Sequence, residues 1–291
     1  MPYINTHLLL QTASRAGYCV GAFNILDYLT LEAVVRAAEE RRSPVIIQTS
    51  SGTVRRYGPE RLVAWTCSLA EASPVPVGLH LDHGTDPDLI AACIRAGYSS
   101  VMIDASAYPF AENVSRTRAV VEQAHARGVS VEGEIGVTAG VEDEIVIHQD
   151  QAIYTTAEEA IDFQAQSGVD FLAVAIGTAH GFYLQAPRLE IDNLRQIRVK
   201  VDFPLVVHGG SGLDDPTVQA LVAAGMAKMN ISTQLKKTYI DGLYAYIDAF
   251  RSEYNPLKLL DHAGAQLSAM IGAYMDLLGS RGRAPEGEPW A

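Results

Sequence analysis

"RAGYSSVMID" (95–104) reads as the end of one element and the start of another. Arg95 and Ala96 close a helical pattern, Gly97 follows, and an apolar run of strand length leads to Asp104. A glycine just past a helix takes up a left-handed backbone that other residues adopt only with steric strain. The same grammar recurs in "RAGYCVGAFN" (15–24), "ARGVSVEGEIG" (126–136), "QSGVDFLAVAIG" (166–177) and "AAGMAKMNIS" (223–232). Gly17, Gly97, Gly128, Gly168 and Gly225 are therefore candidate helix stops. Three more runs open on proline instead: "PVIIQTS" (44–50), "PVGLHLD" (76–82) and "PLVVHGG" (204–210). Their apolar residues are consecutive rather than alternate, which marks strands covered on both faces in a parallel sheet.

Helices fill the intervals. "LTLEAVVRAAEERR" (29–42) carries apolar residues at helical spacing, Thr156 with Glu159 makes a capping-box pattern, and Asp215 with Pro216 reads as an N-cap and N1 pair. Eight strands alternating with helices, without a break in composition, predict a (β/α)8 TIM barrel as a single domain over residues 1–291. An open doubly wound sheet is the alternative on pattern alone. Residues 236–280 read as a C-terminal helical extension that packs on the outside of the barrel or on a neighbouring subunit.

The bulk numbers exclude several partners. With 291 residues, 48% of them hydrophobic, the chain can bury a large core. The net charge is −12 and no stripe of Lys and Arg is present, which argues against nucleic acid. No apolar stretch approaches the roughly 18 residues that would suggest a membrane span, and "MPYINTHLLLQTASRAG" (1–17) lacks the basic start of a signal peptide. Cys19, Cys67 and Cys93 sit in apolar surroundings without CxxC spacing, as reduced thiols of a cytoplasmic protein would.

In such a barrel the chemistry lies at the C-terminal ends of the strands. Those ends carry Asn24, then Gln48 to Ser51, then Asp82 and His83, then Asp104. Glu132 and Glu134 lie on the fifth strand, and His180, His208 and Asn230 follow at the last three. A single histidine at such a place is more often a hydrogen-bonded core residue. Three of them, His83, His180 and His208, at matching strand ends favour a catalytic metal site with one position left for substrate, and Glu134 would be a fourth or alternate ligand. His80 reads as a barrel-lining residue, and His7, His125, His148 and His262 have no such company. "HGGSG" (208–212) and "NIST" (230–233) offer clustered backbone amides and hydroxyls where barrels often bind phosphate, although a glycine-rich run can be a turn and nothing more. Residues 136–155 exceed an ordinary loop and hold Glu142, Asp143 and Glu144; they read either as a solvated acidic loop or as a lid that brings a carboxylate to the mouth.

The set "LHLDHG", "SVMIDAS", "VEGEIG", "GTAHGFY", "HGGSGL" and "KMNIST" resembles the class II, zinc-dependent ketose-bisphosphate aldolases, fructose- and tagatose-1,6-bisphosphate enzymes among them, over roughly residues 3–283. The resemblance implies a (β/α)8 homodimer or homotetramer that reversibly cleaves a ketose 1-phosphate or 1,6-bisphosphate to dihydroxyacetone phosphate and an aldehyde through a zinc-stabilised enediolate. It further implies that His83, His180 and His208 hold Zn2+ (three imidazoles would also accept Co2+ or Fe2+) and that Glu134 lies near the metal. Asp82 would protonate the aldehyde oxygen in the condensation direction, and Glu142 would move the donor's proton. Gly181, Gly209, Gly210, Ser211 and Asn230, Ile231, Ser232 and Thr233 would surround the donor phosphate, with Na+ or K+ nearby and Asn24 lining the substrate side.

Several positions depart from the family pattern, Ser232 among them, where family members often carry Asp, Asn or Ala. Leu184 and Gln185 follow "HGFY" where a lysine is common, and Val141 stands where an acidic or amide residue often precedes the loop glutamate. Leu257 in "NPLKLL" stands where many members carry an arginine that grips the far phosphate, while Arg281 or Arg283 could restore an anion contact. Two other classes compete with the aldolase reading. A metal-dependent hydrolase would want an HxH pair or bridging carboxylates, which are absent. A non-catalytic sugar-phosphate-binding barrel, or an assembly subunit of an aldolase, would not need Asp82, three histidines and Glu142 together.

Overall fold

The computed structural model describes residues 3–136, 139–142, 145–147, 153–183 and 187–284, with the backbone alone described for 139–142 and 145–147. In chain order the first half runs α1 (Thr6–Ala16), β1 (Val20–Asn24), α2 (Tyr28–Arg41), β2 (Val45–Ser50), α3 (Ser51–Tyr57), α4 (Pro59–Ala72), β3 (Val77–Gly84), α5 (Pro87–Ala96), β4 (Ser100–Ile103), α6 (Phe110–His125) and β5 (Ser130–Ile135). The second half runs β6 (Ala139–Glu142), β7 (Ile145–Ile147), α7 (Ala157–Ser167), β8 (Phe171–Val174), β9 (Ala179–His180), α8 (Ile191–Lys200), β10 (Leu205–Val207), α9 (Asp215–Ala223), β11 (Met226–Ile231), α10 (Thr233–Ala249) and α11 (Pro256–Leu277).

Eight of these strands close into a barrel in the order β1-β11-β10-β8-β5-β4-β3-β2. Every pairing in it is parallel. This is the predicted TIM barrel, not the open sheet. The consecutive apolar residues are explained by two separate cores. Phe23, Ile47, Leu79, Leu81, Val101, Val131, Leu172 and Val207 face outward under the helices. Their sequence neighbours Ala22, Ile46, Phe171, Ala173 and Val206 face inward, where they meet Leu9, Leu10 and Ala13 of α1. The amphipathic α1 thus plugs the N-terminal end of the barrel. Each fully buried leucine, isoleucine or phenylalanine contributes roughly 1.5–3 kcal/mol to that arrangement.

The five helix-stop glycines all adopt positive φ, from 69° at Gly17 to 100° at Gly97. The Thr156–Glu159 capping box is present. Two expectations need correction, the start of α9 and the nature of residues 136–155. The N-cap of α9 is Asp214, whose side chain accepts from the Thr217 amide; Asp215 is the first helical residue, because Pro216 fits the first turn of a helix as well as its first position. The expected C-terminal helical extension is present as two helices, α10 and α11. Asn255 accepts from the Leu257 amide and Pro256 opens α11, so "NP" restarts the chain after α10 has closed the barrel. Residues 136–155 are not merely a loop: β6 and β7 form an antiparallel hairpin, and β6 also pairs with β9, with Gly140 opposite His180.

α11 lies across α2 and α10. Arg36 donates to the Gly264 carbonyl at 2.7 Å and to Ser268 at 2.9 Å, and Arg41 reaches Asp276 at 3.1 Å. Among the described residues, no helix is long and apolar enough to cross a membrane.

Candidate metal and proton-transfer site

β3 supplies the two residues on which the site turns. Simple alternation along a strand would send Asp82 inward and His83 outward. Two local features prevent that. The pairing of β3 with β4 shifts register between Leu81 and Gly84, and His83 itself takes the left-handed conformation at φ 43°. Register irregularities of this kind re-aim a side chain and are frequent beside active sites. Gly84 accommodates the kink, since a Cβ there would lie 2.5 Å from the Met102 carbonyl oxygen. Both Asp82 and His83 therefore serve the same mouth.

His83, His180 and His208 converge there, with ligand nitrogens within 4.8 Å of one another. Their ring centroids are 4.6 Å (His83–His208), 5.0 Å (His83–His180) and 5.9 Å (His180–His208) apart. Carboxylates orient two of the rings. Asp104 Oδ2 lies 2.8 Å from His83 Nδ1, which leaves Nε2 as that ring's ligand atom. Glu132 Oε1 lies 2.8 Å from His208 Nε2 and so keeps the proton on that nitrogen. The opposite nitrogen, buried His208 Nδ1, makes no hydrogen bond to any described residue. A buried imidazole nitrogen that faces two other imidazoles and a carboxylate is the environment a borderline divalent ion fits, and carboxylate-held histidines are the usual form of its ligands. Glu134 Oε2 stands 3.4 Å from His208 Nδ1 and 3.7 Å from His83 Nδ1, so it joins the cluster as expected.

The electrostatics follow from burial and these partners. Burial pulls the His208 pKa down, but Glu134 and Glu132 outweigh it and hold it up at about 9 when no ion competes. Burial pushes Asp104 up, yet its hydrogen bond to His83 keeps it well below the usual carboxylate range. Glu132 is likewise held low against its burial, first by Lys228 and then by His208. His80, fully buried and bonded to Ser100, is held well below its ordinary value by burial and then by Lys228. It lines the barrel, as expected.

Asp82 is also buried, with one amide on each oxygen: Asn24 Nδ2 at 2.8 Å and Asn230 Nδ2 at 3.0 Å. Gln48 in turn donates to Asn24 Oδ1 at 2.9 Å. The carboxylate is thereby fixed in orientation 3.9 Å from His83 Nε2.

A small hollow beside this cluster is lined by His180, Gly181, Gly209, Ser211, Asn230, Ser232 and Thr233. It sits at the N-terminus of α10, which Ser232 leaves without a side-chain cap, where backbone amides suit an anion. Gly209 is required by position: its φ is 72°, and a Cβ would meet the Ala179 carbonyl oxygen at 2.4 Å. Two of the residues assigned from sequence do not line the hollow. Ile231 is buried in the outer core and can contribute only its backbone, while Gly210 makes room for Met229. Glu142 lies on β6 two residues beyond Gly140, the neighbour of His180; its side chain is outside the described residues, as are Asp143, Glu144, Leu184 and Gln185. Arg281 and Arg283 do not reach the mouth. They lie by Asp276 and Tyr18 at the opposite end of the barrel, where the chain after α11 pairs with Arg41 and Arg42.

Sequence reasoning passed over two residues. Asp104 was visible as a strand-end acid, but nothing linear ties it to His83. Lys228 is a charge inside an apolar run, "MAKMNI", and that anomaly was the available signal.

The chain matches the family described as Fructose-bisphosphate aldolase class-II over residues 4–283. It is similar to the crystal structure of the YdjI aldolase from Escherichia coli K12, at 31% identity and a TM-score of 0.85, covering 97% of this chain and 100% of that one. It is also similar to the fructose-bisphosphate aldolase (Fba) of Campylobacter jejuni, at 24% identity and a TM-score of 0.82 over 94% of this chain and 93% of that one, a likeness of fold alone. With the match spanning nearly the whole barrel and every strand end that carries the site, the chain belongs to the class II fructose-bisphosphate aldolase family and is an aldolase.

Proposed function

We propose that this protein reversibly cleaves a ketose 1-phosphate or 1,6-bisphosphate to dihydroxyacetone phosphate and an aldehyde, with a divalent ion, Zn2+ before Co2+ or Fe2+, held by His83, His180 and His208. The observation that carries this reading is the convergence of three imidazoles, with His208 Nδ1 facing the other two and Glu134, next to an Asp82 fixed by two amides. An ion bound there would act as a Lewis acid on the donor's carbonyl oxygen and favour the negative charge that develops when a neighbouring proton or carbon leaves. The remaining work falls to the chain. Asp82 takes the hydroxyl proton of the ketose during cleavage and returns it to the aldehyde oxygen during condensation, and its two asparagines keep it aimed. Glu142, brought near His180 along β6, moves the proton of the donor carbon. The hollow at the start of α10 receives the donor phosphate, with backbone amides and the hydroxyls of Ser211, Ser232 and Thr233, and with Na+ or K+ alongside.

The aldehyde half does not require a terminal phosphate. Leu257 opens α11 with 66% of its surface exposed where a guanidinium would stand, Lys258 is paired with Glu253, and Arg281 and Arg283 are at the other end of the barrel. Fructose 1-phosphate and fructose 1,6-bisphosphate should then be cleaved at comparable kcat/KM; a strong preference for the bisphosphate refutes this part. The protein is further proposed to act as a homodimer or homotetramer in the cytoplasm. Exposed Tyr244, Phe250 and Tyr254 on the α10–α11 face support the first statement, and the unpaired cysteines Cys19, Cys67 and Cys93 support the second.

Proton exchange tests the core of the proposal without a guess about the aldehyde. Dihydroxyacetone phosphate is incubated with protein in D2O, with zinc and with chelator, and its carbinol hydrogens are followed by NMR. Zinc-dependent, stereospecific loss of one hydrogen is expected. A protein that binds zinc and exchanges none is a binding barrel or assembly subunit instead.

A further inference from the structure

One buried ammonium connects the two halves of the site. Lys228, on β11, has no exposed surface. Its Nζ donates to Asn230 Oδ1 at 2.7 Å and lies 2.9 Å from Glu132 Oε2. Each contact fixes a group that cannot fix itself. An asparagine amide can flip, but with its oxygen held by an ammonium the Asn230 amide group must point the other way, to Asp82 Oδ1 at 3.0 Å. Glu132 could swing toward His80 Nε2, 3.4 Å away; with Oε2 held by Lys228, Oε1 stays on His208 Nε2 at 2.8 Å. The series Asp82–Asn230–Lys228–Glu132–His208, three hydrogen bonds and the Lys228–Glu132 ion pair, therefore connects the proton-moving carboxylate to a metal-facing imidazole.

We propose that Lys228 is a positioning residue that sets Asp82 and His208 together, through Asn230 on one side and Glu132 on the other. The inference rests on the aldolase reading for what the two ends do, and on the contacts of Lys228 alone for their connection. The competing role is charge balance: Lys228 would only neutralise Glu132 in the core, and any neutral pair would replace the two. Removing one member of a buried ion pair threatens folding, whereas replacing both by neutral groups of similar size is often tolerated.

The test compares the full-length wild type, Glu132→Gln, and the double variant Glu132→Gln with Lys228→Met. The amide oxygen introduced by Glu132→Gln remains an acceptor for His208, so the double variant differs from the single one chiefly in what holds Asn230 and the side chain at position 132. Its thermal transition and far-UV spectrum check the fold. Cleavage kinetics and zinc affinity, the latter by competition with a chromophoric chelator, are read on each protein. Partners behind metal-binding histidines typically change affinity or activity by about 10- to 100-fold. The double variant should show kcat at least tenfold below Glu132→Gln with KM within threefold, and zinc bound at least tenfold more weakly than by Glu132→Gln. A double variant with the kcat and the zinc affinity of Glu132→Gln overturns the proposal and leaves charge balance as the role of Lys228. Failure of the aldolase reading shows itself differently, as a wild type that binds zinc yet neither cleaves nor exchanges. The connection to His208 is then still decided by the zinc affinities, which must fall in the double variant for it to stand.

Discussion

The two halves of the barrel interior are built from the same strands and differ in almost every other respect. Toward the N-terminal end the inward positions are Ala22, Ile46, Phe171 and Val206, sealed by Leu9 and Leu10 of α1. Two residues further along the same faces stand Asn24, Gln48 and His208, and beside them His80, Asp82, Glu132, Lys228 and Asn230, nearly all fully buried. The seam between them is a line of hydroxyls: His80 Nδ1 meets Ser100, Ser100 donates to Thr6 of α1, and Thr6 meets Ser99. The lower half gains stability from removing apolar surface from water. The upper half holds charges out of water, which is costly unless each has a partner. The lesson is that the polar half can exist because the apolar half fixes the strands to which it is attached.

The largest expected effect belongs to the upper half. His180→Ala should lower zinc-dependent hydrogen exchange by on the order of a thousandfold, the scale of several kcal/mol of lost charge stabilisation, with the thermal transition of the metal-free protein little changed. Retained exchange would remove His180 from the site. Asp82→Asn comes next. Cleavage should fall about 10²- to 10⁴-fold while donor hydrogen exchange survives within a few-fold, because the proposed role of Asp82 is confined to the aldehyde oxygen. Equal loss of both reactions would give Asp82 a different role. In the lower half, Phe171→Ala should destabilise the protein by about 3–5 kcal/mol in denaturant titration, yet leave kcat per folded molecule near wild type. A tenfold drop in kcat there would mean that the two halves are not separable.

The smallest effect is a pH dependence of metal-free stability. The raised pKa of His208 adds stability in full below about 6.5, its ordinary value, and that stability is lost as the pH climbs through about 9. His80 acts in the opposite sense: its lowered value costs stability below about 6.5, where the unfolded chain takes up a proton that the native site refuses. Glu132 and Asp104, both held low, add stability that is lost as the pH falls below about 4. Thermal melts without metal should thus peak near pH 6.5. With saturating zinc the alkaline decline should vanish, since a metal-binding imidazole must give up its proton. The same alkaline decline with zinc present would show that His208 is not a ligand.

Much of this was legible in the chain, for physical reasons that are local. Glycine past a helix, proline before a strand and consecutive apolar residues act over a few positions, so they name the barrel without any contact between distant residues. Histidines at three strand ends were equally readable, because parallel strands deliver their C-terminal ends to one mouth. The hollow at the start of α10 is lined by residues the sequence had grouped, all but Ile231 and Gly210, whose directions depend on neighbours. The misplaced α9 cap is a one-residue matter, decided by which backbone amides find partners. The hairpin of β6 and β7 became a sheet only because β9 was there to pair with it.

The sequence by itself determined the barrel, the strand ends and the residue types that stand on them, since each rests on periodicity and on backbone preferences along a few residues. Only the tertiary structure decided that His83 turns inward beside Asp82, through a register shift and a left-handed φ, that Asp104 and Glu132 hold the histidine rings, and that Lys228 lies between Asn230 and Glu132. Together with the Asn230–Asp82 hydrogen bond, which spans 148 positions, those facts join residues far apart in the chain. No linear pattern encodes them, because a buried charge finds its partner in space and not along the chain.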